Sequence, residues 1–176
     1  MDIFRGAERL MGMNDETWAR HANPLSVYSR FSCLSLIVAA IWSRVWLGWW
    51  ALAPLALAIG WTFINPRLFP APLDKGTWAA KAVMGERLFL ARKSVAVPGR
   101  HVAMAYWLTA VSVAWAIALG YGLILLDGWA TVGGLAVAMT GKLWFCDRMA
   151  WLYEDIERSG NATLSRKAAS GPADMG

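Results

Sequence analysis

The segment between His101 and Trp129 constrains the fold of this chain more than any other. From Val102 to Leu126, 25 consecutive residues carry no formal charge, and a helix of that length crosses a hydrocarbon core of about 30 Å with some tilt. A helix that is apolar on every face for about seven turns does not suit the surface of a soluble domain. The sequence therefore predicts a membrane protein in which the other apolar segments pack around this helix.

The composition agrees with this interpretation. Of the 176 residues, 57% are hydrophobic and 16% charged, whereas a soluble domain has about 25% charged residues. The twelve tryptophans belong to the residue type that concentrates where bilayer meets water. The net charge of +5 comes without a nucleic-acid recognition motif, so we expect no nucleic-acid partner. Cys33 and Cys146 lie in apolar segments and are expected to be small core residues.

Four apolar segments predict an all-α, polytopic membrane protein made of two transmembrane helical hairpins. The first hairpin occupies residues 24–65, where Arg30 and Arg44 flank a short apolar run and can extend their guanidinium groups to opposite interfaces. Pro54 predicts a kink in its second helix, tolerated because neighbouring helices satisfy the freed carbonyl. The second hairpin occupies residues 101–155 and ends in a cytoplasmic helical extension.

The other segments are more polar. Residues 1–23 are predicted to form a cytoplasmic N-terminal segment, in which Asp15 caps a short helix. Residues 66–100 predict a cytoplasmic loop that contains a weakly amphipathic helix over 77–93. Residues 156–176 predict a disordered tail because they are rich in small and polar side chains.

The distribution of basic residues predicts the orientation. The turns at 43–48 and 127–128 carry one basic residue, Arg44, and the other 16 lie elsewhere. The positive-inside rule then places both termini on the cytoplasmic side of a bacterial inner membrane. No small-residue cleavage site closes the first apolar run, so we expect the first helix to remain as an anchor.

The two hairpins resemble each other at an offset of 80 residues. Arg20-His21 matches Arg100-His101, and Gly48-Trp49 matches Gly128-Trp129. If these matches reflect duplication, the repeats are parallel and related by an axis along the membrane normal; chance matches between apolar helices are the alternative.

Small residues recur every four positions on three of the predicted helices. Such ridges let helices approach closely in a membrane. They consist of Ser35, Ala39 and Ser43 on the first helix, Ala110, Ala114, Ala118 and Gly122 on the third, and Ala130, Gly134 and Ala138 on the fourth. We interpret them as helix contacts.

A polar cluster is predicted at the cytoplasmic edge from the stretches WARHANPLSVYSR and KLWFCDRMAWLYEDIE. Its candidate site residues are His21, Asn23, Arg30, Lys142, Asp147, Arg148 and Glu154. A charge near hydrocarbon requires a partner, so we expect an ion pair among Arg30, Asp147 and Arg148. The cluster either caps helices and satisfies charges, or binds an anionic head group or phosphate-bearing substrate with His21 as acid or base.

A more remote hypothesis concerns the two histidines, His21 and His101, which occupy matching repeat positions. Pseudo-symmetry could bring them together over a haem or a metal, although an interfacial histidine is more often a hydrogen-bonding group. Neither HExxH, GxSxG nor a P-loop occurs. We therefore expect no catalytic residue and no other cofactor.

At WARHANPLSVYSR, NPRLFPAP, GERLFLARK and KLWFCDRMAWLYED, the chain resembles a family of small bacterial and archaeal integral membrane proteins of unknown function. The resemblance covers about Asp15 to Asp155, and its most specific part is Trp18, His21, Asn23 and Pro24. It implies a multi-span membrane protein and supplies no activity, cofactor or catalytic residue.

These observations favour a non-catalytic accessory or scaffolding subunit of a membrane assembly. Its expected partners are the lipid bilayer and either another membrane protein or further copies of the chain. The alternative is a protein that binds or modifies lipid head groups or other anionic ligands at the cytoplasmic leaflet.

Overall fold

A computed structural model describes residue 12 and residues 14–169, and within these the regular structure is helical, without strands. Predictions for residues 1–11, 13 and 170–176 lie outside the described residues. The helices, numbered in chain order, are α1 (Asp15–His21), α2 (Pro24–Trp42), α3 (Arg44–Leu47), α4 (Leu52–Leu68), α5 (Trp78–Leu90), α6 (Gly99–Leu125) and α7 (Gly128–Ala169), with a 3₁₀ turn at Gly48–Ala51. The all-helical class is confirmed.

Asparagine side chains begin the first two helices. Asn14 Oδ1 accepts a hydrogen bond from the Thr17 backbone N–H at 2.8 Å, so Asn14, and not the predicted Asp15, caps α1. Asn23 Oδ1 accepts from the Leu25 N–H at 2.9 Å, directly before the proline at the first position of α2. Both caps satisfy N–H groups that a helix start leaves unpaired.

The structure changes the predicted boundaries of the second apolar helix. Because α4 begins at Leu52, Pro54 lies in its first turn, where the missing N–H costs nothing and no kink is required. The helix also continues through Pro66 to Leu68, beyond the predicted end at residue 65. Asn65 and Pro66 are fully buried, so tertiary packing holds this last turn despite the proline.

Close backbone approaches join the later helices. A Cβ added at Gly85 of α5 would lie 1.8 Å from the Met149 carbonyl oxygen of α7, and one added at Gly134 would lie 2.9 Å from Leu119 Cα. A Cβ added at Gly122 would lie 2.6 Å from the Thr131 backbone nitrogen. The interpretation of Gly122 and Gly134 as helix contacts is thus confirmed.

Two alanines of the predicted α6 ridge face outward instead. Ala110 and Ala114 are exposed, whereas the face that packs inside the fold includes Ala105 and Leu108. The spacing rule identified the right kind of contact but could not tell which helix face would be used.

Helix α7 is much longer than predicted. It runs from Gly128 to Ala169, so the expected disordered tail is wrong for residues 156–169. Its described side chains support the continuation, since Arg158 Nη2 lies 3.0 Å from Glu154 Oε2 and Ser159 Oγ donates to the Asp155 carbonyl at 2.8 Å. Pairs four residues apart stabilise a helix.

Two stretches of the described chain, Pro24–Leu68 and Gly99–Leu125, are long and apolar enough to cross a membrane. In each, only 17% of the most apolar 18-residue window is buried inside the fold. The apolar side chains of these stretches therefore point mostly away from the protein.

Candidate functional site

The predicted polar residues do not form one site. They divide into three groups, whose side chains come from α1, α2, α4, α5, the start of α6 and the middle of α7. The first group surrounds His21, the second contains Asp147 and Arg148, and the third contains Glu154.

A directed chain of hydrogen bonds forms the centre of the first group. Ser26 Oγ lies 3.2 Å from His21 Nδ1 and donates to Asn65 Oδ1 at 3.1 Å. Asn65 Nδ2 in turn donates to Ser29 Oγ at 2.7 Å, and that hydroxyl donates to the Leu25 carbonyl at 2.6 Å. Three elements, α1, α2 and α4, are tied together by this chain of side chains.

Burial, together with the positive charges of Arg30 and Lys142, keeps His21 neutral. His21 is 7% exposed, and burial, followed by the positive charges of Arg30 and Lys142, lowers its pKa from 6.5 to about 3. Arg30 Nη1 lies 3.2 Å from His21 Nε2, so the neutral ring accepts from Arg30 at Nε2 and donates from Nδ1 to Ser26. A ring held in this way is a positioning group, since protonating it at neutral pH is unfavourable.

Two residues complete the surroundings of the first group. Glu86 on α5 attracts Lys142 electrostatically, and Cys146 lies one helical turn beyond Lys142. The Lys142 ammonium lies 5.2 Å from the centre of the Phe145 ring. Among the described residues, Lys142 and Glu86 make no ion pair within 4 Å.

The second group is an ion pair covered by tryptophans. Arg148 Nη2 lies 2.7 Å from Asp147 Oδ2, and Trp78 Nε1 donates to Asp147 Oδ1 at 3.4 Å. These two hydrogen bonds, that of Arg148 first, hold the pKa of Asp147 below its usual value. The Arg148 guanidinium lies 4.3 Å from the centre of the Trp151 ring. The expected ion pair is thus Asp147 with Arg148, while Arg30 bonds to His21 instead.

The third group fastens α7 to α5 and α6. Lys81 Nζ lies 2.8 Å from Glu154 Oε1. Asp155, the next residue of α7, binds the start of α6. His101 Nε2 lies 2.8 Å from Asp155 Oδ2, and Arg100 Nη2 lies 2.5 Å from the same oxygen. These partners hold the pKa of Asp155 below its usual value.

The two histidines therefore have separate partners. Both ring nitrogens of His21 are engaged, by Ser26 and Arg30, and His101 belongs to the Asp155 group. The donor atoms present do not fit a shared haem, because His21 would have to give up a hydrogen bond to bind iron. Within the described residues, no group of three or more His, Cys, Asp or Glu is placed to hold a metal ion.

Asn23 has a structural role in this arrangement. Besides capping α2, it donates from Nδ2 to the Pro70 carbonyl at 3.0 Å, which holds the start of the central loop against α2. Sequence reasoning missed Asn65, Lys81 and Glu86, which the structure adds to these groups. The available signal was weak: an asparagine in an apolar helix, and two charges on a helix whose amphipathic pattern was mediocre.

A family model described as a family of unknown function, DUF6653, matches residues 5–171. No curated protein and no solved structure matches the chain.

Proposed function

Because the chain belongs to the DUF6653 family, whose function is unknown, we propose from its own geometry that it is an integral membrane protein that acts as a non-catalytic scaffolding subunit. The observation that carries this proposal is the exposure of its most apolar helices. Only 17% of each span window is buried in the fold, whereas the core helix of a soluble protein is mostly buried. Lipid is the solvent that such a surface suits.

The side chains that point outward support this proposal. They are large, apolar and continuous along α6, and aromatic at the hairpin tips. The exposed residues include Trp107, Val113, Ile117, Tyr121 and Ile124 on α6, and Trp46, Trp49, Trp50 and Trp129 at the tips. Tryptophan at helix ends is typical of the membrane–water interface.

We further propose four crossings, by α2, α4, α6 and the first part of α7. Arg44 Nη2 donates to the carbonyls of Leu123 and Ile124 at 2.5 and 2.9 Å, which brings the two hairpin tips to the same end of the fold. Arg44 is the one basic residue of these tips. The positive-inside rule therefore favours the tips outside and both termini in the cytoplasm.

The scaffolding role follows from how the polar groups are used. Most of the predicted site residues bond to other groups of the protein, and several of these bonds join helices: Arg30 with His21, Trp78 with Asp147, and Lys81 with Glu154. By contrast, the outward face of α6 combines exposed small residues, Ala110 and Ala114, with large apolar neighbours. Small residues let a further helix approach closely, so we propose this face as the contact for a membrane-protein partner or a second copy.

Two experiments test the parts of this proposal. Gly128→Cys, at a position where an added side chain meets nothing within 4 Å, should react with an impermeant maleimide applied to intact cells. Lys75→Cys should react only after permeabilisation. Labelling of both from outside, or release of the protein by alkaline carbonate, would contradict the membrane topology.

Larger side chains on the outward face of α6 test the partner contact. The double variant Ala110→Leu, Ala114→Leu should lose the stoichiometric protein that co-purifies with the wild type in gentle detergent. Ala56→Leu, the same change at an exposed position of α4, should retain it. Equal co-purification by both variants, or none by the wild type, would refute the scaffolding role.

A further inference from the structure

Several cationic side chains in the cytoplasmic half of the fold are ion-paired, but Lys142 has no carboxylate partner within 4 Å among the described residues. Lys81, Arg148 and Arg100 each lie within 3 Å of a carboxylate oxygen. In the part of the chain that the structure describes, no carboxylate oxygen lies within 4 Å of the Lys142 ammonium, which lies 5.2 Å from the centre of the Phe145 ring and is attracted mainly by Glu86. Part of the Lys142 side chain is exposed at the surface of the fold.

Arg30 brings a second cation to the same place. Phe31, the residue after Arg30, packs against the cluster of Ala82, Cys146 and Ala150, and Lys142 precedes Cys146 by one helical turn. The positive charges of Arg30 and Lys142 both act on His21, which agrees with this placement of α1, α2 and α7. Arg30 bonds to a neutral acceptor, His21 Nε2. That contact uses one of its five N–H donors and leaves its charge unneutralised.

The charges of this neighbourhood do not balance. Arg30 and Lys142 contribute two positive charges, Glu86 one negative charge, and the buried His21 none, which leaves one positive charge. Near hydrocarbon an excess charge of this kind is costly until a counter-ion joins it. Arg30 is half-buried and held in place by His21, which the bonds to Ser26 and Asn65 position in turn.

We propose that Arg30 and Lys142 bind the phosphate group of an anionic phospholipid at the cytoplasmic interface. The planar guanidinium suits two phosphate oxygens and the ammonium supplies a point charge. His21 acts as a positioning residue that aims Arg30, and Glu86 weakens the site by competing for Lys142. This site rests on the membrane placement proposed above, but it does not require a protein partner.

Native mass spectrometry of the full chain in a non-ionic detergent tests the site. With phosphatidylglycerol, the wild type should retain one lipid per chain, and with phosphatidylcholine none. Arg30→Gln and Lys142→Gln should each weaken phosphatidylglycerol binding by about 10-fold or more, because each removes a charged hydrogen bond to phosphate. Lys81→Gln, which removes one positive charge from a residue already paired with Glu154, should bind as the wild type does.

Glu86→Gln provides a second, opposite readout. It removes the competing carboxylate and should tighten binding, whereas a merely structural Glu86 would leave affinity unchanged or reduced. Inorganic phosphate separates the two sources of a phosphate group: millimolar phosphate should fail to displace the lipid, and displacement would assign the site to soluble phosphate instead.

Retention of phosphatidylglycerol by Arg30→Gln and Lys142→Gln at wild-type affinity would overturn the site. That result leaves the maleimide and co-purification tests unaffected. Failure of the site and failure of the scaffolding role are therefore distinguishable.

Discussion

Replacing Gly85 by alanine should separate α5 from α7. An added Cβ would lie 1.8 Å from the Met149 carbonyl oxygen, whereas ordinary contact begins at 3.4 Å. The helices must therefore move apart by 3.4 − 1.8 = 1.6 Å. This interface buries Phe89, Met149 and Leu152 completely, so the movement loosens well-packed side chains.

The expected cost follows from this geometry. Overpacking a close contact costs about 3 kcal/mol, and alanine returns about 1 kcal/mol of helix propensity. The net loss of about 2 kcal/mol lowers the melting temperature by about 4–8 °C in a chain of this size. Gly133→Ala in α7 is the matched control, because an added Cβ there meets nothing within 4 Å.

Thermal unfolding of both variants in the same detergent measures the difference. Gly133→Ala should melt at or slightly above the wild-type temperature. If Gly85→Ala melts as high as Gly133→Ala, the close approach of α5 to α7 is wrong.

Three further predictions concern the polar contacts. Arg44→Gln should lower the melting temperature, because two charge-assisted hydrogen bonds to the last turn of α6 contribute about 1.5–3 kcal/mol each before the cost of ordering the side chain; an unchanged melting temperature would contradict the contact between hairpin tips. For His21, the folded pKa of about 3 lies below the unfolded value of 6.5, so stability should fall as pH drops below 6.5, by about 1.4 kcal/mol per pH unit. Denaturant titrations between pH 6.5 and 5 should show this slope in the wild type and not in His21→Gln. Asp155→Asn should loosen α6 from α7 and increase proteolysis near residue 100, and it should also abolish the acid sensitivity that Asp155 contributes as pH falls through its lowered pKa.

Much of the helical architecture follows from local sequence. The helix expected over 77–93 is present as Trp78–Leu90, because Thr77 accepts a hydrogen bond from the Ala80 N–H at 3.2 Å and apolar residues follow. The apolar run from Val102 to Leu126 likewise lies almost entirely within one helix. Caps, turns and uninterrupted apolar runs act over short distances, so a single sequence can reveal them.

Helix ends that depend on distant contacts were less predictable. The last turn of α4 contains a proline, and local rules end the helix there; burial of Asn65 against α2 extends it. That contact is decided after the helices have packed, by a partner 36 residues away. The continuation of α7 past residue 156 has a different cause: Glu154 and Arg158 pair four residues apart, a local helix signal that the composition of the tail does not reveal.

The polar cluster shows the same division between what is local and what is not. Its members were identified because charges near apolar segments are rare, and the structure gives each of them a defined contact or charged neighbour. Which member pairs with which depends on helix rotation: Asp147 turns toward Trp78 and bonds its neighbour Arg148, which leaves Arg30 beside His21 and Lys142. A low-dielectric surrounding makes every unbalanced charge costly, so pairs form first and the remaining excess marks the place for a ligand. We therefore expect an external anion to bind at Arg30 and Lys142, where positive charge is in excess, and not at the paired residues around them.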